Sequence, residues 1–470
     1  MLKIKSIVLV LFIFTVALNG APEFDQYFIN KTMRVDYFHT GTAAAEHFSL
    51  DRVYQEGEWP GSRINLIDTL DLGKYILRVY DLRTDELLYS RGYSTIFGEW
   101  QTTPEAKQGT FQTFHETVRL PFPKKRVKIV LAVRNRYNKF INKFTTTIDP
   151  ASRFVNRERK KYPYKTQKYI DNGKPEHKVD IVIMGDGYKK NEINKFHKDV
   201  KRYTDVFFAS QPFKDRKTDF NIWLIDVESP DSGIDEPREG KWRHTALGTS
   251  YNSLDSPRYV LTLANKEMRD IAALVPYDQI YILINSPRYG GGGIFNLYSI
   301  CYTGSEPRLP QWWSDYVFVH EFGHTFGGLA DEYYTSAVAY EEFYLSGVEP
   351  WEPNITRLLD RDNPRWKDLI APGTPVPTPW AKAEYDSLAV ILRKQKRDTP
   401  EYIRIEKQMK EIIKMSENKY AVGCFEGAGY ASTGIYRPAL DCRMFSKSLV
   451  EFCPVCQQAI NRVIDMYTRQ

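Results

Sequence analysis

Residues 314–334 read SDYVFVHEFGHTFGGLADEYY, and His320-Glu321-Phe322-Gly323-His324 within them is an H-E-x-x-H run. On a helix, positions i and i+4 share a face, so two imidazoles stand one turn apart with the Glu321 carboxylate beside them. Neutral histidines at that spacing hold one zinc ion. With only 8 His in 470 residues, a chance match has odds of about one in a hundred, so the motif is informative before its surroundings are read. A purely structural helix would have to desolvate three polar side chains on one stripe for no gain.

The flanks fit a helix that stops soon after the second histidine. Ser314 and Asp315 are good N-terminal capping residues, Val317, Phe318, Phe322 and Phe326 give apolar anchorage, and Gly327-Gly328 permits a left-handed turn. About three turns are predicted. Gly327 stands three residues past His324, where the longer H-E-x-x-H-x-x-G-x-x-H pattern has its glycine. That pattern's third histidine falls at Ala330, which binds no metal, and Asp331 and Glu332 follow. The third ligand is therefore expected to be a carboxylate. Adjacent side chains point in different directions, so one of the two reaches the metal. Asp331 is favoured because it lies one residue from the usual position and its short side chain loses less rotamer entropy. Glu332 is the alternative, as a ligand or as an acceptor for a ligating histidine.

At the start of the chain, Lys3 and Lys5, the apolar run Ser6 to Leu18 and the small residues Asn19-Gly20-Ala21 predict a signal peptide over 1–20. That run is short for a membrane span, and no other stretch approaches 18 apolar residues. The expectation is an exported protein, periplasmic or extracellular, without stable membrane insertion. A formal charge of +6 on 65 basic and 59 acidic residues is a mild excess, short of the concentrated basic face that nucleic acid calls for.

About 450 mature residues exceed one hydrophobic core, and the pattern divides them. Residues 24–150 carry β-like runs at Tyr75 to Tyr80, Leu87 to Tyr93, Phe111 to Leu120, Val127 to Val133 and Phe144 to Ile148, separated by turn signals. An antiparallel β-sandwich is predicted there. His39, His47 and His115 are scattered through it without ligand spacing and read as surface or satisfied histidines. Residues 151–178, basic and polar, read as a solvated linker. From 179 to 470 strands and helices alternate, with strands at Val179 to Met184, Phe220 to Val227 and Gln279 to Asn285. The predicted class is multidomain α+β: an N-terminal antiparallel β-sandwich, then an α/β zinc-binding domain. Gly290 to Gly293 reads as a flexible turn before an edge strand, 294–302, able to accept an extended peptide. Two charged helices, 381–396 and 400–418, read as part of a peripheral insertion over 345–420. Five cysteines, Cys301, Cys424, Cys442, Cys453 and Cys456, leave one unpaired, and the sequence gives no pairing. The lone C-x-x-C at 453–456 is weak evidence for a redox or second zinc site.

The chain resembles peptidase family M64, the IgA peptidase family of zinc metallopeptidases. The resemblance rests on HEFGHTFGGLADEYY at 320–334, EPNIT at 352–356, GTPVPTPW at 373–380, FEGAGY at 425–430 and YRPALDCRMFSKSLVEFCPVCQQAI ending at Ile460. Residues 24–150 look like that family's N-terminal domain. The likeness implies a metzincin-like catalytic domain with Met444 in the turn beneath the metal. It implies a secreted endopeptidase that hydrolyses peptide bonds through a zinc-bound water, with His320, His324 and Asp331 on the metal and Glu321 as general base. Protein or peptide is the expected substrate, and immunoglobulin A enters through the family name alone. A tyrosine among Tyr333, Tyr334, Tyr430 and Tyr436 is a further candidate that spacing does not select. Two other classes share parts of the pattern: a non-proteolytic zinc amidohydrolase, and a host-surface binding protein with a relic metal site.

Overall fold

Strands form in the first third of the chain because β-branched and aromatic residues alternate with polar ones. The computed structural model describes residues 22–158, 160–304, 311–335, 344–396 and 399–469; the expected signal peptide lies outside them. One antiparallel sheet has the order Leu87–Tyr93, Tyr75–Asp81, Val127–Arg134, Phe140–Ile148. A second has the order Gln112–Pro123, Phe28–Gly41, Glu46–Gln55, Val155–Asn156, with the last pair parallel. Leu77, Val79 and Leu131 of the first share one apolar core with Val35, Tyr37 and Val118 of the second.

The two long strands Phe28–Gly41 and Glu46–Gln55 are absent from the sequence expectation. Their alternation is masked by charge that the fold buries: Arg34, 1% exposed, is paired with Asp36 at 2.9 Å, Glu56 at 3.1 Å and Asp270 at 2.8 Å. His39 is satisfied as expected, buried between Glu116 at 2.8 Å and Glu46 at 3.2 Å.

The remainder is built on a six-stranded sheet in the order Gly291–Ile294, Tyr298–Tyr302, Gln279–Ile284, Val179–Asp186, Phe220–Ile225, Thr166–Ile170. The four inner strands are parallel and the two outer ones antiparallel to their neighbours. Parallel strands covered on both faces need nearly continuous apolar sequence, and every residue of Val179–Asp186 is buried. The stretch expected as a linker, 151–178, thus supplies a strand to each of two sheets. The glycine run is itself the edge strand, while Tyr298–Tyr302 lies inside the sheet. The chain itself bonds the outer edge at its two ends, Val260 N–H to Gly291 O at 3.1 Å and Ser94 N–H to Phe295 O at 2.9 Å, so the edge expected at 294–302 is instead the glycine strand.

The helix Trp312–Gly327 packs on Gly291–Ile294, on Tyr298–Tyr302 and on the last helix, Pro454–Thr468. Phe318 stacks on Tyr281 with centroids 4.1 Å apart, and Phe322 meets Phe207 edge-on at 5.1 Å. A Cβ on Gly293 would fall 2.4 Å from Glu321 O, so only glycine lets the strand approach the helix this closely. The helices Lys382–Arg393 and Pro400–Met415 pack on each other. Among the described residues no helix is long and apolar enough to cross a membrane.

Candidate metal centre

The helix begins two residues earlier than its capping signals suggest, at Trp312, and ends at Gly328 with φ +62°, the left-handed stop that glycine permits. Ser314 lies inside the first turn, and Asp315 bonds Arg202 at 2.5 Å. Beyond Gly328 the chain is held by Asn354. Its side-chain oxygen accepts from Ala330 N–H at 2.7 Å, and its amide donates to Ala330 O at 2.9 Å and to Glu332 Oε1 at 3.0 Å. Glu332 N–H donates to Met444 O at 2.8 Å. Pinned at both ends, the segment sends Asp331 back toward the helix and Glu332 away from it.

The structure brings His320, His324 and Asp331 together, one ligand atom of each lying within 4.8 Å of the others. His320 Nδ1 faces Arg443 O at 3.1 Å and His324 Nδ1 faces Leu329 O at 2.6 Å. A carbonyl only accepts, so both Nδ1 atoms carry the proton and both Nε2 atoms present lone pairs. Those Nε2 atoms lie 3.1 Å apart, and Asp331 Oδ1 sits 3.1 Å from the first and 3.3 Å from the second. Asp331 Oδ1 is buried and makes no hydrogen bond. Three acceptors converging in this way require a positive charge among them. Ligands about 2.0–2.1 Å from a tetrahedral zinc are separated by about 3.3–3.4 Å, so the donor set and its spacing fit that ion.

The electrostatics express the same demand. Burial opposes charge on Asp331, yet the His324 and His320 imidazoles hold its carboxyl well below the usual range. Burial likewise works against the His324 imidazolium, but Asp331 outweighs it and pushes the pKa up to about 9, so a proton on Nε2 answers the same demand wherever a metal does not. Glu321 is half-buried in the wall of an open cleft that the three residues also line. Burial pushes its carboxyl up, against the pull of His320 and His324.

Of the four candidate tyrosines, Tyr333 and Tyr430 line the cleft and Tyr334 and Tyr436 do not. The Tyr430 hydroxyl donates to Asp331 Oδ2, leaving Oδ1 for the imidazoles. Tyr334 instead donates to Asp386 at 2.7 Å. Met444 is fully buried beneath the helix, with Sδ 3.1 Å from where a Gly323 Cβ would stand. Sequence reasoning missed Asn354, Arg258 and Tyr316. Tyr316 OH lies 3.1 Å from His320 Nδ1, and Arg258 lines the cleft, where its charge acts on Glu321 and Tyr333. The i, i+4 spacing of Tyr316 and His320 was the one available signal.

Residues 168–464 match the family described as IgA Peptidase M64, and residues 23–145 match the Peptidase M64 N-terminus. No curated protein matches the chain. The larger match takes in the helix, Asp331, Asn354 and Met444, and together the two span most of the sequence. The chain therefore belongs to peptidase family M64, a membership that makes it a peptidase by family and implies a metallopeptidase.

Proposed function

We propose that this protein is an exported, zinc-dependent endopeptidase in which His320, His324 and Asp331 hold one zinc ion and Glu321 is the general base. The observation that carries the reading is the convergence of two Nε2 lone pairs and the hydrogen-bond-free Asp331 Oδ1 beside an open cleft. Zinc bound there would supply Lewis acidity and lower the pKa of a water to about 7.

The chain's own groups divide the remaining work. Arg443 O and Leu329 O fix the tautomer and the orientation of the imidazoles. Tyr430 fixes Asp331 through Oδ2. Glu321, with its proton affinity raised by burial, takes a proton from the attacking water at its carboxylate and delivers it to the leaving amine. In this reading an extended chain lies in the cleft that Glu321 and Tyr333 line together with Ser94 and Glu99 from the N-terminal region. In this reading 24–150 is a β-sandwich, 179–470 the catalytic domain, and Met444 the support of a metzincin-like site.

The test is cleavage-site profiling of the purified full chain on a proteome-derived peptide library, with immunoglobulin A added as one intact substrate. Cuts at internal peptide bonds, abolished by a chelator and restored by zinc, are the expected result. Cleavage indifferent to chelation would overturn the zinc assignment, and turnover of small amides alone would overturn the endopeptidase.

A further inference from the structure

A second cluster of metal-ligating side chains stands on the other side of the Asp331–Glu332 peptide. Glu332, Cys442, Cys453 and Cys456 each place one ligand atom within 4.8 Å of the others, and all four are buried. Cys442 Sγ and Cys456 Sγ are 3.8 Å apart, and Cys456 Sγ lies 3.1 Å from Glu332 Oε1. Sulfurs about 2.3 Å from a tetrahedral zinc are separated by about 3.8 Å, whereas a disulfide requires about 2.05 Å. We propose that these four residues form a closed structural zinc site, distinct from the cleft.

Three further features favour it. Glu332 Oε2 is fully buried and has no hydrogen-bond partner, a position that a carboxylate oxygen occupies only at high cost unless a cation meets it. One disulfide among the three cysteines would leave that oxygen and the third thiol as they are. Cys453 stands at the N-terminus of the Pro454–Thr468 helix, whose dipole favours a thiolate, and its N–H points at Cys442 Sγ from 3.2 Å. None of the four residues lines the cleft, so no ligand position opens to substrate, as in structural rather than catalytic zinc sites. Uptake of Zn2+ releases one proton from each of the three thiols, and the carboxylate completes the set. The buried Arg437 guanidinium, whose charge acts on Glu332, offsets part of the surplus negative charge.

The site would fasten three segments: the stretch after the metal-binding helix that carries Asp331, the turn carrying Arg443 and Met444, and the last helix. Arg443 O holds His320 and Met444 O holds Glu332 N–H, so the site is a positioning device for the cleft as well as a staple.

The experiment uses the full chain with His320→Ala and His324→Ala, which empties the cleft and leaves the thiols intact. Loaded with Co2+ in the absence of oxygen, it is expected to bind one equivalent and to show thiolate-to-cobalt charge-transfer absorption. Native mass spectrometry of the unsubstituted protein supplies a readout free of folding risk: two zinc ions per chain, and five free thiols once the protein is unfolded in chelator. A folded double variant without charge-transfer absorption would overturn the proposal. So would a disulfide joining any two of Cys442, Cys453 and Cys456 in the protein as isolated.

Discussion

Asp331 and Glu332 are bonded neighbours that serve two different clusters. Asp331 faces two imidazoles at the wall of an open cleft, while Glu332 faces three thiols in a closed pocket. The same acidic chemistry is put to opposite uses by access and by partners. Nitrogen and oxygen ligands with an open side suit a metal that must exchange water, and sulfur-rich ligands sealed from solvent suit one that must not. Five substitutions probe that division.

The largest effect is expected at Glu321, which belongs to the open side but is not placed among the ligands. Glu321→Ala should keep the cleft's metal and lose at least about a hundredfold in peptide hydrolysis, the scale of a general base. Metal analysis paired with turnover checks this, and near-normal turnover by the loaded variant would remove Glu321 from the role. Next comes the pair itself. Asp331→Ala should weaken metal binding in the cleft by more than about a hundredfold, beyond the range for groups that only support a ligand. Glu332→Ala should leave one tightly held, histidine-bound metal while lowering the melting temperature. Elemental analysis after dialysis finds one metal in each, and Co2+ substitution separates the two, with thiolate-to-cobalt charge transfer kept in Asp331→Ala and lost in Glu332→Ala; the opposite pattern would exchange their roles.

Asn354 tests whether the division depends on the hinge between the clusters. Asn354→Ala strips Ala330 of two hydrogen bonds and Glu332 of one, which should cost about 3 kcal/mol in urea unfolding. A loss below about 0.5 kcal/mol would mean the segment holds its twist without that side chain. The smallest effect belongs to Met444→Leu. The swap conserves volume in a fully buried position and should cost less than about 1.5 kcal/mol with metal retained. Complete loss of the cleft's metal from a folded Met444→Leu protein would make the methionine more than packing.

The fold was legible where the signal was local. Leu87–Tyr93 is found with the bounds read from sequence, and Val179–Asp186 and Gln279–Ile284 within two residues, because continuous apolar runs between turns have few alternatives. Phe28–Gly41 was not legible, since Arg34 and Asp36 look like surface residues until Glu56 and Asp270 arrive to neutralise them. Val155–Asn156 and Thr166–Ile170 were read as linker for a related reason. Edge strands with one solvated face carry polar residues that sequence alone assigns to loops.

By itself the sequence determined that His320, Glu321 and His324 share one helical stripe that ends at a glycine, because the helical period and the left-handed stop are set within a few residues. Tertiary structure alone decided which carboxylate faces the imidazoles, which tyrosines line the cleft and that three cysteines meet Glu332. Each of those depends on chain returning from far away: Tyr430 reaches Asp331 across 99 residues and Cys456 reaches Glu332 across 124. No local rule of propensity or spacing carries that information, since the side chains' directions follow from where the Asn354 and Met444 backbone contacts hold the segment after the helix.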